Sequence, residues 1–139
     1  MSETRGTIGY AENAADLIAR YELLPFAYKH AEVLHLIPTR PSRVLDVGAG
    51  SGLDAAWLAS MGHEVCAVEP TFLFRQYAER NHASPRVEWV DDCLPSLDRV
   101  VERRQTFSLI MVTAVWDDAE RRKAMAVLAS LLESEGTCC

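Results

Sequence analysis

The sequence predicts one α/β domain, a doubly wound parallel sheet preceded by helices. Three observations predict it. From Arg43 onward, short apolar runs alternate with helical patterns in the order β-α-β-α-β-α-β-α. The apolar runs are nearly continuous, as expected for strands buried on both faces. The 139 residues, 49% hydrophobic and 24% charged, supply one core and not comfortably two. We read residues 1–139 as a single domain, with 1–40 an N-terminal helical segment and 41–136 the alternating core.

Residues 1–8 read as a loose arm. Ala14, Leu17, Ile18 and Tyr21 recur at helical spacing over about 11–22. Pro25 interrupts, and Phe26, His30, Val33, Leu34 and Ile37 mark a second helical stretch that "IPTRPS" ends. "RVLDV", bounded by Pro41 and Gly48, is the first strand and "GAGSG" a turn. "LDAAWLASM" is a helix, with Leu53, Ala56, Trp57 and Met61 on its apolar side and Gly62 beyond its C-terminus. "HEVCAV" is the second strand. Pro70 and Thr71 open a helix that turns Leu73, Phe74 and Tyr77 inward. "RVEWV" is the third strand, "LPSLDRVVERR" a loop or short helix, and "FSLIMVTAV" the fourth and most apolar strand. Ala124, Val127, Leu128, Leu131 and Leu132 mark an amphipathic helix to about 134.

Charge and cysteine usage limit the function. Net charge is −6, which disfavours a large nucleic-acid footprint. No apolar run approaches the ~20 residues that span a bilayer, and "MSETRGTIGY" has no signal-peptide core. Cys66, Cys93, Cys138 and Cys139 lack metal-ligand spacing, so free thiols in a reducing, cytoplasmic setting are expected. His30, His35, His63 and His82 show no metal spacing either, and no metal site is expected.

Ligands of doubly wound sheets bind beyond the carboxyl ends of the strands. There the sequence places Asp46-Val47-Gly48-Ala49-Gly50-Ser51-Gly52, then Glu69, then Asp91 and Asp92, then Thr113, Ala114 and Val115. Glycines let a ligand lie against the backbone. Glu69 stands 21 residues after Gly48, close to the ~20-residue spacing of a ribose-binding acid. The ligand should therefore contain a nucleoside. A nicotinamide dinucleotide calls for G-x-G-x-x-G, but counting from Gly48 the third position is Leu53. Asp46 at the turn suits a cation better than a pyrophosphate. S-Adenosylmethionine, with a sulfonium, an ammonium and no phosphate, fits these acids.

"VLDVGAGSG", "VCAVEP", "VEWVDDCLP" and "FSLIMVTAVW", in this order, resemble the successive motifs of a class I, Rossmann-like S-adenosylmethionine-dependent methyltransferase, over roughly residues 10–136. The resemblance implies strand order 3-2-1-4 and a set of roles. Asp46 and the Gly48 backbone resemble the methionine-ammonium site, with Ala49 in the same turn. Gly50 and Gly52 keep that turn clear. Glu69, followed by Pro70, resembles the acid that binds both ribose hydroxyls. Asp91 or Asp92 resembles the reader of the adenine amino group. Thr113 and Ala114 resemble the segment beside the methyl group, and Tyr10 an aromatic lid over the methionine end.

The resemblance implies methyl transfer by in-line displacement to an acceptor, expected to be a small molecule, with S-adenosylhomocysteine as product. No general base stands out. Two alternatives stay open: a module that binds S-adenosylmethionine or S-adenosylhomocysteine with little catalysis, and a nicotinamide-binding domain. Relatives of this type carry strands five to seven after the last helix, where this chain has "ESEGTCC". A chain cut there would leave strand four as an open edge, so a homo-oligomer through that edge, or else a poorly stable fragment, is expected.

The bland readings are specific too. Asp46 is a possible turn or cap residue, and Asp91 and Asp92 are possible loop acids. Trp57 and Trp89 read as packing residues. Trp116 reads equally as packing or as pocket lining. "RRQ" near 103 and "RRK" near 121 read as solvated surface.

Overall fold

The computed structural model describes residues 14–23, 30–113 and 118–139. Tyr10, Pro25, Phe26, Ala114, Val115 and Trp116 lie outside the described residues. Helix α1 spans Ala14–Tyr21. The second expected helix lies partly outside the described residues; its described part holds a 3-10 turn, Ala31–Leu36, closed by bonds from Val33 N–H to His30 C=O and from Ile37 N–H to Leu34 C=O. Pro38 follows at once and prevents its extension.

The alternating core follows as β1 (Arg43–Val47), α2 (Leu53–Ser60), β2 (Glu64–Val68), α3 (Phe72–Asn81), β3 (Val87–Val90), α4 (Asp98–Glu102), β4 (Phe107–Val112), α5 (Asp118–Leu131) and β5 (Leu132–Cys138). The strands form one parallel sheet in the order β3-β2-β1-β4-β5. The α/β doubly wound architecture is as the sequence predicts, and the order 3-2-1-4 is as the resemblance implies.

Side chains alternate across each strand, so the sheet builds two cores. One face carries Val44, Val65, Ala67, Leu109 and Met111 and packs on Ala55, Leu58 and Ala59 of α2 and on Ile37. The other carries Leu45, Val47, Cys66, Val68, Val90, Phe107 and Ile110 and packs on Leu97, on Val100 of α4, and on Leu128 and Leu131 of α5. Helix α2 therefore covers one face, and α4 and α5 the other. The winding changes hand of travel between β1 and β4, which creates a crevice at their carboxyl ends.

Four expectations need correction. The sheet does not stop at β4. Leu132–Cys138, read from the sequence as helix end and tail, is a strand parallel to β4, with Ile110 opposite Cys138. Cys139 N–H donates to Ile110 C=O at 2.7 Å, and Val112 N–H to Cys139 C=O at 2.8 Å. The expected open edge on β4 is thus covered by the chain's own residues, and the argument for oligomerisation through it falls. The physical reason is that an apolar central strand recruits whatever backbone can satisfy its polar groups.

The inward faces of two helices are also turned in part from the expected ones, although Phe74 of α3 is buried as expected. In α2 the buried residues are Ala55, Leu58 and Ala59, while Met61 is exposed. In α3 they are Phe74 and Ala78, one helical turn apart, while Leu73 is 45% exposed.

His63 lies at the opposite end of the sheet from the crevice and is fully buried. Its Nδ1 accepts the Ser42 N–H at 3.0 Å. Burial pushes its pKa below the ordinary value of 6.5, against the opposing pull of a backbone hydrogen bond with Pro38. The fold therefore prefers the neutral ring, and the unfolded chain takes up the proton first as pH falls. Stability should drop below about pH 6.5, by at most about 1.4 kcal/mol per pH unit from this residue. Urea unfolding of wild type and His63→Asn at pH 7.5 and 5.5 checks this. The wild type should lose more stability than the variant, and parallel losses would count against it.

Candidate functional site

The crevice is built by the residues that follow β1, β2, β3 and β4. Gly48, Gly50 and Gly52 have φ of 76°, 57° and 90°, in the left-handed region that disfavours side chains. The turn folds back on the neighbouring strand: Gly48 N–H and Ala49 N–H both donate to Val68 C=O, at 2.9 and 3.0 Å. Gly50 N–H donates to Glu69 Oε1 at 2.9 Å, and Gly52 N–H to Ala49 C=O at 3.2 Å. The turn has thus already committed the amides of residues 48, 49, 50 and 52. Phosphate-binding turns instead point free N–H groups at the anion.

Glu69 is the buried acid of the site, 4% exposed. Its second oxygen accepts the Thr71 N–H at 2.9 Å. Pro70, which has no N–H, lets the chain double back so that Thr71 reaches it. Burial pushes the carboxyl above its ordinary range, against the Thr71 and Gly50 amides, the Thr71 hydroxyl and the Arg75 charge. Each oxygen holds one backbone donor and keeps capacity for another.

Asp91 and Asp92, indistinguishable in sequence, separate in space. Asp92 Oδ2 accepts the Arg99 and Val100 N–H groups at 2.9 and 3.1 Å, and Oδ1 accepts the Cys93 N–H at 2.9 Å. Its carboxylate closes the start of α4. Asp91 stands beside Glu69 at the strand ends, where Glu69 N–H bonds to Val90 C=O. Arg75 of α3 spans the two strands. It donates to Glu69 C=O at 2.7 Å and lies 3.5 Å from Asp91 Oδ1. Asp46 is 2% exposed within β1, beneath the turn rather than on it. Thr113 closes the other wall, its N–H donating to Val47 C=O at 2.8 Å across the β1–β4 crevice.

Sequence reasoning missed a second polar layer behind the turn. Ser51 Oγ donates to Glu22 Oε2, while Tyr77 and His82 reach Glu22 Oε1. His30 Nε2 lies 3.0 Å from Asp54 Oδ2 in the first turn of α2. These partners are 24 to 60 residues apart, so no local pattern signals them.

A Gly-rich turn at a switch point and a buried acid at the next strand end form a crevice of the kind in which α/β domains hold a ligand. Residues 44–136 match the model of the methyltransferase domain family, and the chain belongs to that family. Among curated proteins, a protein-L-isoaspartate O-methyltransferase of Klebsiella pneumoniae is 41% identical over 59 residues, 42% of this chain and 28% of that protein. The matched stretch thus spans less than a third of that relative's length.

Among solved structures, DhpI in complex with SAH superposes with a TM-score of 0.72 at 17% identity, covering 98% of this chain and 69% of that one. A TehB-like SAM-dependent methyltransferase from Corynebacterium glutamicum gives 0.67 at 20% identity, covering 94% and 71%. These likenesses establish the class I, Rossmann-like fold. Among the described residues, no helix is long and apolar enough to cross a membrane.

Proposed function

We propose that this chain binds S-adenosylmethionine across the carboxyl ends of β1–β4 and transfers its methyl group to a small-molecule acceptor. The observation that carries the reading is the pairing of a buried acceptor, Glu69, with a turn whose amides at residues 48, 49, 50 and 52 are already bonded. Such a site accepts hydrogen bonds from a sugar and offers little to a pyrophosphate, which also argues against the nicotinamide dinucleotide.

Glu69 receives the two ribose hydroxyls. The backbone at Gly48 and Ala49 lines the methionine moiety, with Asp46 beneath it supplying negative potential for the ammonium. Asp91 accepts the adenine amino group. Thr113 lines the wall near the methyl group. The sulfonium supplies an already activated methyl group. The chain's own task is to align the acceptor and exclude water, and alignment alone can lower a barrier by ~7–11 kcal/mol.

Titration calorimetry with S-adenosylhomocysteine, with NAD as comparator, tests the site. Micromolar binding of the first and none of the second is expected, and the reverse would overturn the reading. Transfer of labelled methyl to an added small-molecule acceptor tests the reaction. Binding without any transfer would favour the non-catalytic module.

The tandem acids offer an internal check. Asp91→Ala should weaken S-adenosylhomocysteine about 10- to 150-fold, the worth of one hydrogen bond to a charged acceptor, and leave stability nearly unchanged. Asp92→Ala should instead cost about 1 kcal/mol of stability through the lost cap and barely touch affinity. Calorimetry and urea unfolding on both variants would expose a swapped assignment.

A further inference from the structure

The Gly-rich turn contains three left-handed glycines, and glycine brings the largest conformational freedom of any residue. Something must hold it in shape. Gly50 is tied by its N–H to Glu69, and Gly52 is packed between Ala78 and Trp89. Between them stands Ser51, 2% exposed, whose hydroxyl donates to Glu22 Oε2 at 3.1 Å. Glu22 lies just past α1, its own N–H bonded to Ile18 C=O at 3.0 Å. Its other oxygen takes the Tyr77 hydroxyl at 3.0 Å and sits 2.5 Å from His82 Nε2. The Tyr77 and His82 rings meet edge to face at 5.9 Å.

We propose that Glu22 is a positioning residue for the cofactor site: it anchors Ser51, and so the Gly-rich turn, to α1 and α3. One carboxylate gathers donors from the turn, from the body of α3 and from the residue that ends it. The turn is then held in its left-handed shape before a ligand arrives, and the ordering cost is not charged against binding. The same contact joins the N-terminal segment to the turn. A second tie, His30 to Asp54, lands one helical turn further along. What the turn binds rests on the reading of the site given above, but its being held by Glu22 does not.

The test compares wild type, Glu22→Ala, Glu22→Gln and Ser51→Ala, with exposed Asp16→Asn on α1 as control. The first readout is amide hydrogen exchange at residues 48–52 in the ligand-free protein. Glu22→Ala should speed exchange there at least tenfold while β1 and β4 amides keep their rates. Ser51→Ala, which cuts the same contact from the other side, should do the same, and the double variant should be no faster than either. Glu22→Gln, which keeps one acceptor for Ser51, should recover part of the protection.

The second readout is the Kd for S-adenosylhomocysteine, expected to rise about tenfold in Glu22→Ala and less in Glu22→Gln. Unchanged exchange at 48–52, additive effects in the double variant, or uniform acceleration across the sheet would overturn the proposal. Absence of binding in wild type would instead overturn the methyltransferase reading, and the exchange data would still decide the role of Glu22.

Discussion

Replacing Glu69 by Ala is expected to weaken S-adenosylhomocysteine by more than roughly 100-fold, because two hydrogen bonds to a charged acceptor are worth about 3–6 kcal/mol together. Stability responds differently. Ala leaves the Gly50 and Thr71 amides unbonded inside the protein, whereas Gln keeps one acceptor oxygen for them. Glu69→Gln, whose one oxygen serves only one of the two amides, should cost about 1–3 kcal/mol, less than Ala, and yet lose most of its affinity. The acidity of Glu69 gives an independent handle. Burial raises its pKa above the ordinary 4.5, so the folded protein takes up the proton more readily than the unfolded chain. This residue's contribution to stability is fully present below 4.5 and lost as pH rises through the folded value. Affinity runs the other way, since the hydroxyls need the ionised acceptor, and it should fall as pH drops toward 4.5. Calorimetry from pH 8 to pH 5 should show that decline in wild type and a flat profile in Glu69→Gln. A parallel decline in both would mean that Glu69 does not hold the ribose.

Much of this site was legible in the sequence because it is local. The Asp46–Gly52 string, the acid after β2 and the acids after β3 each follow an apolar run, and parallel strands bring their ends together. What stayed hidden is what depends on tertiary contact. Glu22, Tyr77 and His82 meet across 55 and 60 residues, and their residue types are ordinary for a solvated helix. Asp92 caps α4 from seven and eight residues upstream, outside the usual N-cap spacing, so its role could not be told from that of Asp91. The faces of α2 and α3 were read only in part because "LDAAWLAS" is apolar nearly all round and "FLFRQYAERN" opens with three large apolar residues, of which Phe74 alone is buried. Periodicity discriminates poorly in such short windows. The strand Leu132–Cys138 was missed because "LESEGTC" shows no buried alternation. Its pairing is dictated by the needs of β4, not by its own composition.

The largest stability effect should come from Gly52→Ala, one methyl group. The φ of 90° alone costs about 1–2 kcal/mol for a residue with a side chain. The added Cβ would also stand 2.6 Å from Ala78 Cβ and 2.9 Å from Trp89 Cζ2. Neither neighbour retreats easily, since Ala78 is fully buried in α3 and Trp89 lies in β3. Overpacking of this kind adds about 1–3 kcal/mol, for a total near 2–5 kcal/mol. That is a large part of the 5–15 kcal/mol that typically separates folded from unfolded chains. Gly62 supplies the control. Its φ of 96° is equally left-handed, but a Cβ there would meet Pro41 at no less than 3.5 Å. Gly62→Ala should therefore show the conformational cost alone, about 1–2 kcal/mol. The difference between the two variants in urea unfolding isolates the clash of the turn against α3 and β3. Equal losses would mean that the turn has room to move, and would remove the packing argument for its shape. In Gly52→Ala protein that remains folded, displacement of the turn from α3 should also lower affinity for S-adenosylhomocysteine. Gly62→Ala, at the far end of α2 from the turn, should bind as wild type.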